Sequence, residues 1–390
     1  MRKYIEKIIS DVKNLGDKAV ASYTAKYDAV KLSPSKFAVS RAELKNAGRY
    51  VEAPLKNAIA AAAGNIRAFH EKELSMNKRS WKMRSGGAVL GQVYNPVESA
   101  GIYVPGGRYP YPSTVLMTAI PAKTAGVKNI IMLTPPGNAT PAVLYAAYIS
   151  GVTKVFKVNG PAGIAALAIG TASIPKVDLI AGPGNAFINE MKRQVMGLVG
   201  IDSLAGPSEV AIIADSSANS GFIVCDILAQ LEHDPDAKAY LFSDSRALLS
   251  GVRASVKSKP GRFISSLCSI AKAVDKVNGI APEHVQVMTR NAQGLALRIR
   301  NAGAVFAGNF TPTAVGDYWA GPSHVLPTAG AARFSGGIST STFLKKTSYV
   351  EYSKKEFLKA AGGILALAGA EGLEYHGKSI EIRNVKSRRI

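Results

Sequence analysis

Short apolar runs alternate with helix-length amphipathic runs from residue 101 to residue 306, and this regular pattern constrains the fold more than any other feature. Parallel strands need a long crossover connection, usually a helix, so the alternation predicts parallel βαβ units. One series covers about residues 100–215, and a second follows over 221–306. We expect an α/β protein with two Rossmann-like, doubly wound domains and a ligand cleft between them.

The two ends of the chain predict other structures. Apolar side chains recur at helical spacing over residues 1–75, which predicts a helical N-terminal part. A loop rich in Gly, Pro and Ser covers 308–341, and a predicted helix (354–370) and a short predicted strand (379–383) then form a small C-terminal α+β tail domain. The predicted domains are a first Rossmann-like domain of residues 1–100 plus 209–338, a second of residues 101–208, and the tail domain of residues 339–390.

The cysteine content and the N-terminal residues indicate in which cellular compartment the protein is expected. Only two cysteines occur, Cys225 and Cys268, which excludes a disulfide scaffold and a Cys-rich zinc site and favours a reducing compartment. Both lie in apolar, helix-like runs, so we expect them to be small buried residues. The opening Met1–Lys7 lacks the apolar stretch of a signal peptide, and no apolar run reaches the roughly 18 residues of a membrane span. We therefore expect a cytoplasmic protein without membrane association.

The formal net charge of +21 is the unusual bulk property. Such a charge is compatible with nucleic acid, an acidic membrane surface or anionic ligands as partners. The basic residues are scattered, however, and concentrate only at 78–84 and 386–389, without a zinc-finger, helix-turn-helix or RNA-binding pattern. We interpret the charge as a solvated basic surface, and expect no nucleic-acid partner.

Two glycine-rich turns follow predicted strands. Gly182-Pro183-Gly184-Asn185-Ala186-Phe187 opens a predicted helix, as a dinucleotide fingerprint does, but Phe187 occupies the third glycine position. The turn is compatible with anion binding by backbone N–H groups or with a tight turn alone. The second turn, Pro105-Gly106-Gly107, follows Tyr103, whose ring can stack on or hydrogen-bond a nucleotide.

Gln230 and His233 close a helix-periodic apolar run that ends at Pro235. Side chains three apart share one helix face, so this amide and imidazole can reach a common point. That arrangement suits a metal ion or a small polar substrate, although alone it is more often a surface or capping feature. His70, which is followed by Glu71 and Glu73, is interpreted as an exposed helix histidine.

Further polar residues concentrate at element ends. Glu283 and His284 precede a predicted strand, where they can point to opposite faces and serve separate proton-transfer roles. Asp317 and His324 lie in the predicted loop, and Glu371 and His376 flank Gly372, so a helix must break for the last two to converge. With Gln230 and His233 they supply the nitrogen and oxygen ligands of a zinc site without thiolates, or an acid–base site.

Seven segments together resemble the histidinol dehydrogenase family. They are GIYVPGGRYPYPSTVLMTAIPAKTAGV (101–127), DLIAGPGNAFINEMKRQV (178–195), IDSLAGPSEVAIIAD (201–215), AQLEHDP (229–235), APEH (281–284), NAGAVFAGNFTPTAVGDYWAGPSHVLPT (301–328) and EGLEYH (371–376). The resemblance implies oxidation of L-histidinol through the aldehyde to L-histidine with two NAD, the last step of histidine biosynthesis. Neither cysteine lies in these segments, so a cysteine nucleophile has no support.

The resemblance also implies roles for individual residues. One zinc ion per subunit would be bound by Gln230, His233, Asp317 and His376, and would hold the substrate's imidazole and amine. His284 would be the general base and Glu283 would activate water, a division that suits the near-neutral pKa of imidazole. The zinc ligands and His284 would contact substrate together with Ser208, His324 and Glu371. Tyr103 and Asn185 would contact the dinucleotide, in the domain of residues 101–208.

The family resemblance further implies a homodimer in which the C-terminal domain crosses over, so that Glu371 and His376 complete the partner's site. This chain departs from the family pattern at Ala162, where a dinucleotide-contacting glutamine is usual. It also starts later than long bacterial members, and we expect it to lack their small N-terminal dimer-embracing segment.

Two other functions remain open. A related zinc- and NAD-dependent dehydrogenase would keep the fold and oxidise another small polar alcohol, although His324 and Glu371 favour histidinol. A basic nucleic-acid-binding protein on the same fold would bind DNA through its charge, and that binding would be weak and sensitive to salt.

Overall fold

The structure is a computed structural model and describes residues 1–77, 80–106, 110–232, 234–257 and 261–384. It divides into a larger unit, Met1–Leu74 with Pro96–Phe343, and a smaller unit of Ser75–Asn95 with the chain from Leu344 onward. The predicted boundary near residue 209 falls inside the larger unit, and the three-domain division stays a prediction. The basic residues of 386–389, and Lys78 and Arg79 of the other basic cluster, lie outside the described residues.

Helices and strands alternate through most of the described chain. The helices are α1 (Arg2–Leu15), α2 (Asp17–Tyr27), α3 (Arg41–Asn46), α4 (Ala53–Asn77), α5 (Pro112–Ala125), α6 (Pro141–Ile149), α7 (Gly160–Ile169), α8 (Ala186–Val195), α9 (Ser220–Glu232), α10 (Arg246–Ser255), α11 (Ile270–Ile280), α12 (Ala292–Ala296), α13 (Thr313–Tyr318), α14 (Lys354–Ala370) and α15 (Glu374–Asn384). The strands are β1 (Trp81–Ser85), β2 (Ala88–Pro96), β3 (Ser99–Tyr103), β4 (Asn129–Thr134), β5 (Lys154–Lys157), β6 (Leu179–Ala181), β7 (Gly200–Ile201), β8 (Glu209–Ala214), β9 (Lys238–Ser243), β10 (Phe263–Leu267), β11 (His284–Met288), β12 (Ala304–Ala307) and β13 (Leu344–Tyr352).

The first parallel sheet has the order β5-β4-β3-β6-β7. The strand order reverses between β3 and β6, so their carboxyl ends form a topological switch point, where ligands of such sheets bind. Helix α7 is buried nearly all round, and α1 packs its apolar stripe of Ile5, Ile8 and Val12 into the same core. Each of these side chains contributes roughly 1.5–3 kcal/mol through burial.

The second parallel sheet has the order β10-β9-β8-β11-β12, so it repeats the topology of the first. His284, the first residue of β11, lies between Val210 of β8 and Ala304 of β12. Helix α9 connects the carboxyl end of β8 to the amino end of β9. Its last turn, with Gln230, therefore returns to the amino edge of the sheet. The expected α/β class with parallel sheets is confirmed.

The smaller unit contains β1, β2 and β13 in one three-stranded sheet, followed by α14 and α15. The predicted strand over 379–383 is wrong, because these residues belong to α15. Alternating Ile380 and Ile382 resemble a strand pattern, but a window of five residues cannot exclude a helix. The predicted helix break is present, since α14 ends at Ala370 and Gly372 has φ +69°. Nowhere in the described ranges is a helix long and apolar enough to cross a bilayer.

Two predictions about single side chains are also wrong. His70 is buried, not exposed: its Nδ1 lies 2.9 Å from Glu73 Oε2, and that oxygen accepts hydrogen bonds from the N–H and hydroxyl of Thr340. This tertiary contact leaves no local sequence signal. Cys225 is exposed, because α9 turns Ile223, Ile227 and Gln230 inward and leaves Cys225 in solvent. Cys268, just after β10, is half-buried.

Candidate active site

Glu283, His284 and Asp317 form one cluster at the amino edge of the second sheet. Glu283 and His284 are only 6% and 5% exposed. His284 Nδ1 lies 3.6 Å from Glu283 Oε2, and Nε2 lies 3.8 Å from Asp317 Oδ1 on α13. The two adjacent residues therefore reach each other at the start of β11, and the imidazole stands between two carboxyl groups.

The Glu283 carboxyl is held by residues that precede and begin β8. Its Oε2 accepts the backbone N–H of Glu209 at 3.1 Å, and the Ser208 hydroxyl also donates to the carboxyl. Burial raises the pKa of Glu283 to about 8, these two hydrogen bonds oppose the rise, and the neighbouring Asp317 and Glu209 carboxyls add to it. A carboxyl with such a pKa exchanges its proton near neutral pH, which is typical of proton-transfer sites.

Asp317 and His324 are joined through the backbone. Burial raises the pKa of the Asp317 carboxyl to about 7. His324 Nδ1 lies 2.9 Å from the Asp317 carbonyl oxygen, so it donates there, and Nε2 lies 3.4 Å from the Thr114 hydroxyl. The structure thus places the predicted substrate residue His324 against the segment that carries Asp317.

Gln230 is buried on α9, and in the described part of the chain its Nε2 has no hydrogen-bond partner. Asp226 lies one turn earlier and accepts a 3.0 Å hydrogen bond from Gln286, which shares a face of β11 with His284. Burial raises the pKa of Asp226, and the Gln286 hydrogen bond opposes it. Asp226, Gln286 and Glu209 were not predicted from the sequence, although each lies one to four residues from a predicted site residue (Gln230, His284 and Ser208, respectively).

A cavity of about 980 Å³ lies in the larger unit, and none of Glu283, His284, Gln230 and Asp317 is among its described lining residues. Its walls include Leu231 and Tyr318, the neighbours of Gln230 and Asp317, and Tyr111 and Leu116 of the α5 region. Arg262 donates to the carbonyls of Leu231, Asp234 and Ala237 and so fixes the wall after α9. The volume falls at the upper end of the range of small-molecule sites.

Tyr103 and Asn185 lie at the carboxyl edge of the first sheet. Tyr103 ends β3 and is buried, which raises the pKa of its hydroxyl. Asn185 caps α8, because its Oδ1 accepts the N–H groups of Phe187 and Ile188 at 3.0 and 3.2 Å. Gly182 has φ +125°, and a Cβ there would overlap the carbonyl oxygen of Tyr103. The glycine turn is therefore sterically tight, and anion binding stays a prediction.

The other predicted residues are not brought into this cluster by the described contacts. Glu371 and His376 are exposed residues of the smaller unit, and His233 and Gly107 lie outside the described residues. Ala162 is fully buried in the first turn of α7. Across the described ranges, no group of three or more His, Cys, Asp and Glu side chains is placed to hold a metal ion, and the predicted zinc site stays a prediction.

Comparison with known proteins decides the family. The family model "Histidinol dehydrogenase" matches residues 1–384. The chain belongs to the histidinol dehydrogenase family. It is similar to a histidinol dehydrogenase of Synechococcus sp. (44% identity over 97% of this chain and 91% of the relative) and to histidinol dehydrogenase 2 of Trichormus variabilis (46%, 97% and 91%).

A crystal structure of histidinol dehydrogenase from Elizabethkingia anophelis has a TM-score of 0.89 and 36% identity, covering 98% of this chain and 91% of that one. The prediction of an oxidoreductase of the histidinol dehydrogenase family is therefore confirmed. The Glu283–His284–Asp317 cluster is the candidate active site of this family member.

Proposed function

We propose that the protein oxidises L-histidinol through the aldehyde to L-histidine with two NAD, as the zinc-dependent last step of histidine biosynthesis in the cytoplasm. The observation that carries the proposal is the buried Glu283–His284–Asp317 cluster in a chain of the histidinol dehydrogenase family. The cavity lined by Leu231 and Tyr318, the sequence neighbours of Gln230 and Asp317, has room for a small polar alcohol.

His284 is the proposed general base. Removing hydride from an alcohol requires that the hydroxyl proton leave too, and a neutral imidazole accepts such a proton near neutral pH. Glu283 Oε2 lies 3.6 Å from Nδ1, so this carboxyl, once ionised, would stabilise the imidazolium that results. In the second oxidation Glu283 takes a proton from the water that adds to the aldehyde. NAD, when bound, would supply the hydride acceptor for each oxidation.

Gln230 and Asp317 fit a zinc ion. Gln230 is buried, and its Nε2 has no hydrogen-bond partner among the described residues. An amide binds a metal ion through its oxygen, so Gln230 would bind zinc by Oε1, after a flip of the amide that exchanges its nitrogen and oxygen. Asp317 is a half-buried carboxyl with no neighbouring cation among the causes of its raised pKa, and oxygen ligands of this kind suit zinc. Gln230, His233, Asp317 and His376 would hold the ion, which when bound would hold the substrate's imidazole and amine.

The remaining substrate and cofactor contacts follow the same assignment. Ser208 and His324 adjoin Glu283 and Asp317, and with Glu371 would contact the substrate. Tyr103 and Asn185 lie at the switch point of the first sheet, the usual place for a dinucleotide. The side chain of Ala162 is a buried methyl group, so it cannot make the hydrogen bond to the nucleotide that a glutamine side chain could make.

The smaller unit supports a homodimer with shared active sites. It exposes large apolar side chains along α14 and α15, including Leu367 at 69% and Tyr375 at 79%. Contiguous exposed apolar side chains are typical of interfaces. We propose that a second copy covers them, and that Glu371 and His376 complete the partner's site.

Mixing two inactive variants tests the shared site. Glu283→Ala and His376→Ala remove groups that would belong to one site but come from different chains, so mixed dimers should contain one intact site and recover activity. Co-expressed variants that stay inactive, although mixed dimers form, would reject the exchange of the C-terminal domain.

The function itself is tested by product analysis. Incubation with L-histidinol and NAD should yield L-histidine and two NADH per molecule of product. A small polar alcohol without an imidazole should react poorly. Preference for that alcohol would indicate a related dehydrogenase instead.

A further inference from the structure

A buried ion pair makes hydrogen bonds to the glycine turn of the first sheet. Lys192 on α8 and Asp202 after β7 are ion-paired, with side chains only 2% and 3% exposed. Lys192 Nζ donates to the Gly182 carbonyl at 3.0 Å, and Asp202 Oδ2 accepts the Gly182 N–H at 2.8 Å. Both polar backbone groups of one residue are therefore bound by the two members of one pair.

Gly182, the residue that this pair binds, adjoins both residues that are proposed to contact the nucleotide, Tyr103 and Asn185. Gly182 packs directly on the backbone of Tyr103, where even a methyl group would not fit. Three residues later Asn185 caps α8. Asn189, one turn before Lys192, donates to the Gly184 carbonyl at 2.9 Å. The turn 182–185 is thus fixed from one side by α8 and from the other by Asp202.

Stability alone does not explain such a pair. Desolvation of two buried charges offsets much of their attraction, and apolar side chains of similar volume often stabilise a protein as well or better. What apolar side chains cannot supply is the pair of directional hydrogen bonds to Gly182. The neighbouring pair Arg193–Glu190 on the same helix is more exposed and bonds no residue of the turn.

We infer that Lys192 and Asp202 are positioning residues that hold the turn 182–185, and with it Tyr103 and Asn185, in the geometry that binds the dinucleotide. The inference rests on the proposed binding of NAD at this edge. Neither side chain is proposed to touch the nucleotide.

Lys192→Met tests this role, with Arg193→Met as the matched control on the same helix. Lys192→Met should raise KM for NAD about tenfold or more, because small misplacements of binding groups are costly. kcat at saturating NAD and KM for L-histidinol should stay within about twofold, since the second sheet is untouched. Direct NADH titration should show the same loss of affinity, and Arg193→Met should match wild type in every readout.

Lys192→Met leaves the Asp202 carboxylate buried without its partner, so the double variant Lys192→Met/Asp202→Asn is measured beside it. The double variant has no unpaired charge, but it does not restore the hydrogen bond to the Gly182 carbonyl. The raised KM for NAD should therefore remain. Wild-type affinity for NADH in either folded variant, or failure of both to fold, would make the pair a structural element only and overturn the inference.

Hydrogen exchange over residues 179–190, measured without nucleotide, tests whether the Lys192–Asp202 pair holds the turn 182–185. In Lys192→Met the amides of Gly182, Gly184 and Asn185 should exchange faster, while those in the second sheet stay as in wild type. Equal exchange in both proteins would refute the positioning role. Failure of wild type to bind NADH or oxidise L-histidinol would refute the proposed function, and exchange would still show whether the pair holds the turn.

Discussion

The two parallel sheets share one strand order but present their proposed sites at opposite edges. Tyr103 and Asn185 lie at the carboxyl edge of the first sheet, as expected for a doubly wound fold. Glu283 and His284 lie at the amino edge of the second, where β11 begins. Identical topology therefore does not fix which edge carries a function, and only the site's residues decide it.

The two edges also differ in what surrounds their carboxyl groups. At the first edge the Asp202 carboxylate has a lysine partner and a backbone N–H donor. At the second edge burial raises the pKa values of Glu283 and Asp317 toward neutrality. The first arrangement holds a turn rigid, and the second keeps groups ready to exchange protons at a cost in stability.

The largest expected effect that tests this difference comes from His284→Asn. Asparagine keeps a polar group in the space but accepts no proton, so turnover of L-histidinol should fall by about 10²- to 10⁴-fold. Zinc content, thermal stability and NADH affinity should stay near wild type, because the variant removes a base and not a ligand. Normal turnover would show that His284, at the amino edge of the second sheet, is not the base of the reaction.

Glu283→Gln should separate the two oxidations. Glutamine keeps the hydrogen-bond acceptor for Glu209 but takes no proton from water, so oxidation of the aldehyde should fall more than oxidation of the alcohol, by about tenfold or more. Separate rates with L-histidinol and with the aldehyde measure this ratio. An equal loss in both rates would contradict the proposed role in water activation.

Asp226→Asn should give the smallest effect and concerns stability alone. Burial raises the pKa of Asp226 in the folded state. The wild type therefore loses stability as the pH rises above the pKa of an aspartate in the unfolded chain, about 4. The asparagine amide carries no charge and can donate to Gln286 Oε1, which has no partner among the described residues. Tm should therefore rise by about 1–2 °C at pH 7.

At about pH 3.5 the two proteins should have nearly the same Tm, because the Asp226 carboxyl is then protonated in wild type, both folded and unfolded. Thermal unfolding of metal-free protein at the two pH values measures the difference. A destabilised variant at pH 7 would mean that the second edge depends on the Asp226 charge.

Local pattern predicted much of the fold and the chemically distinctive residues. The bounds of α14 agree with the prediction, and Glu283-His284 was predicted to lie just before a strand, which begins at His284. Contacts between residues distant in sequence were missed, since neither Thr340 on Glu73 nor Asp202 on Gly182 leaves a local trace. The predicted strand over 379–383 failed because five alternating residues cannot exclude a helix.

Metal removal tests the central claim, that the amino edge of the second sheet is a zinc-dependent histidinol oxidation site, most directly. NADH formation from L-histidinol is followed in the purified protein, after chelation and after zinc is added back, with zinc content measured at each stage. We predict turnover that chelation abolishes and zinc restores, and that Asp317→Ala neither retains zinc nor regains activity. Full turnover by metal-free protein would contradict this account.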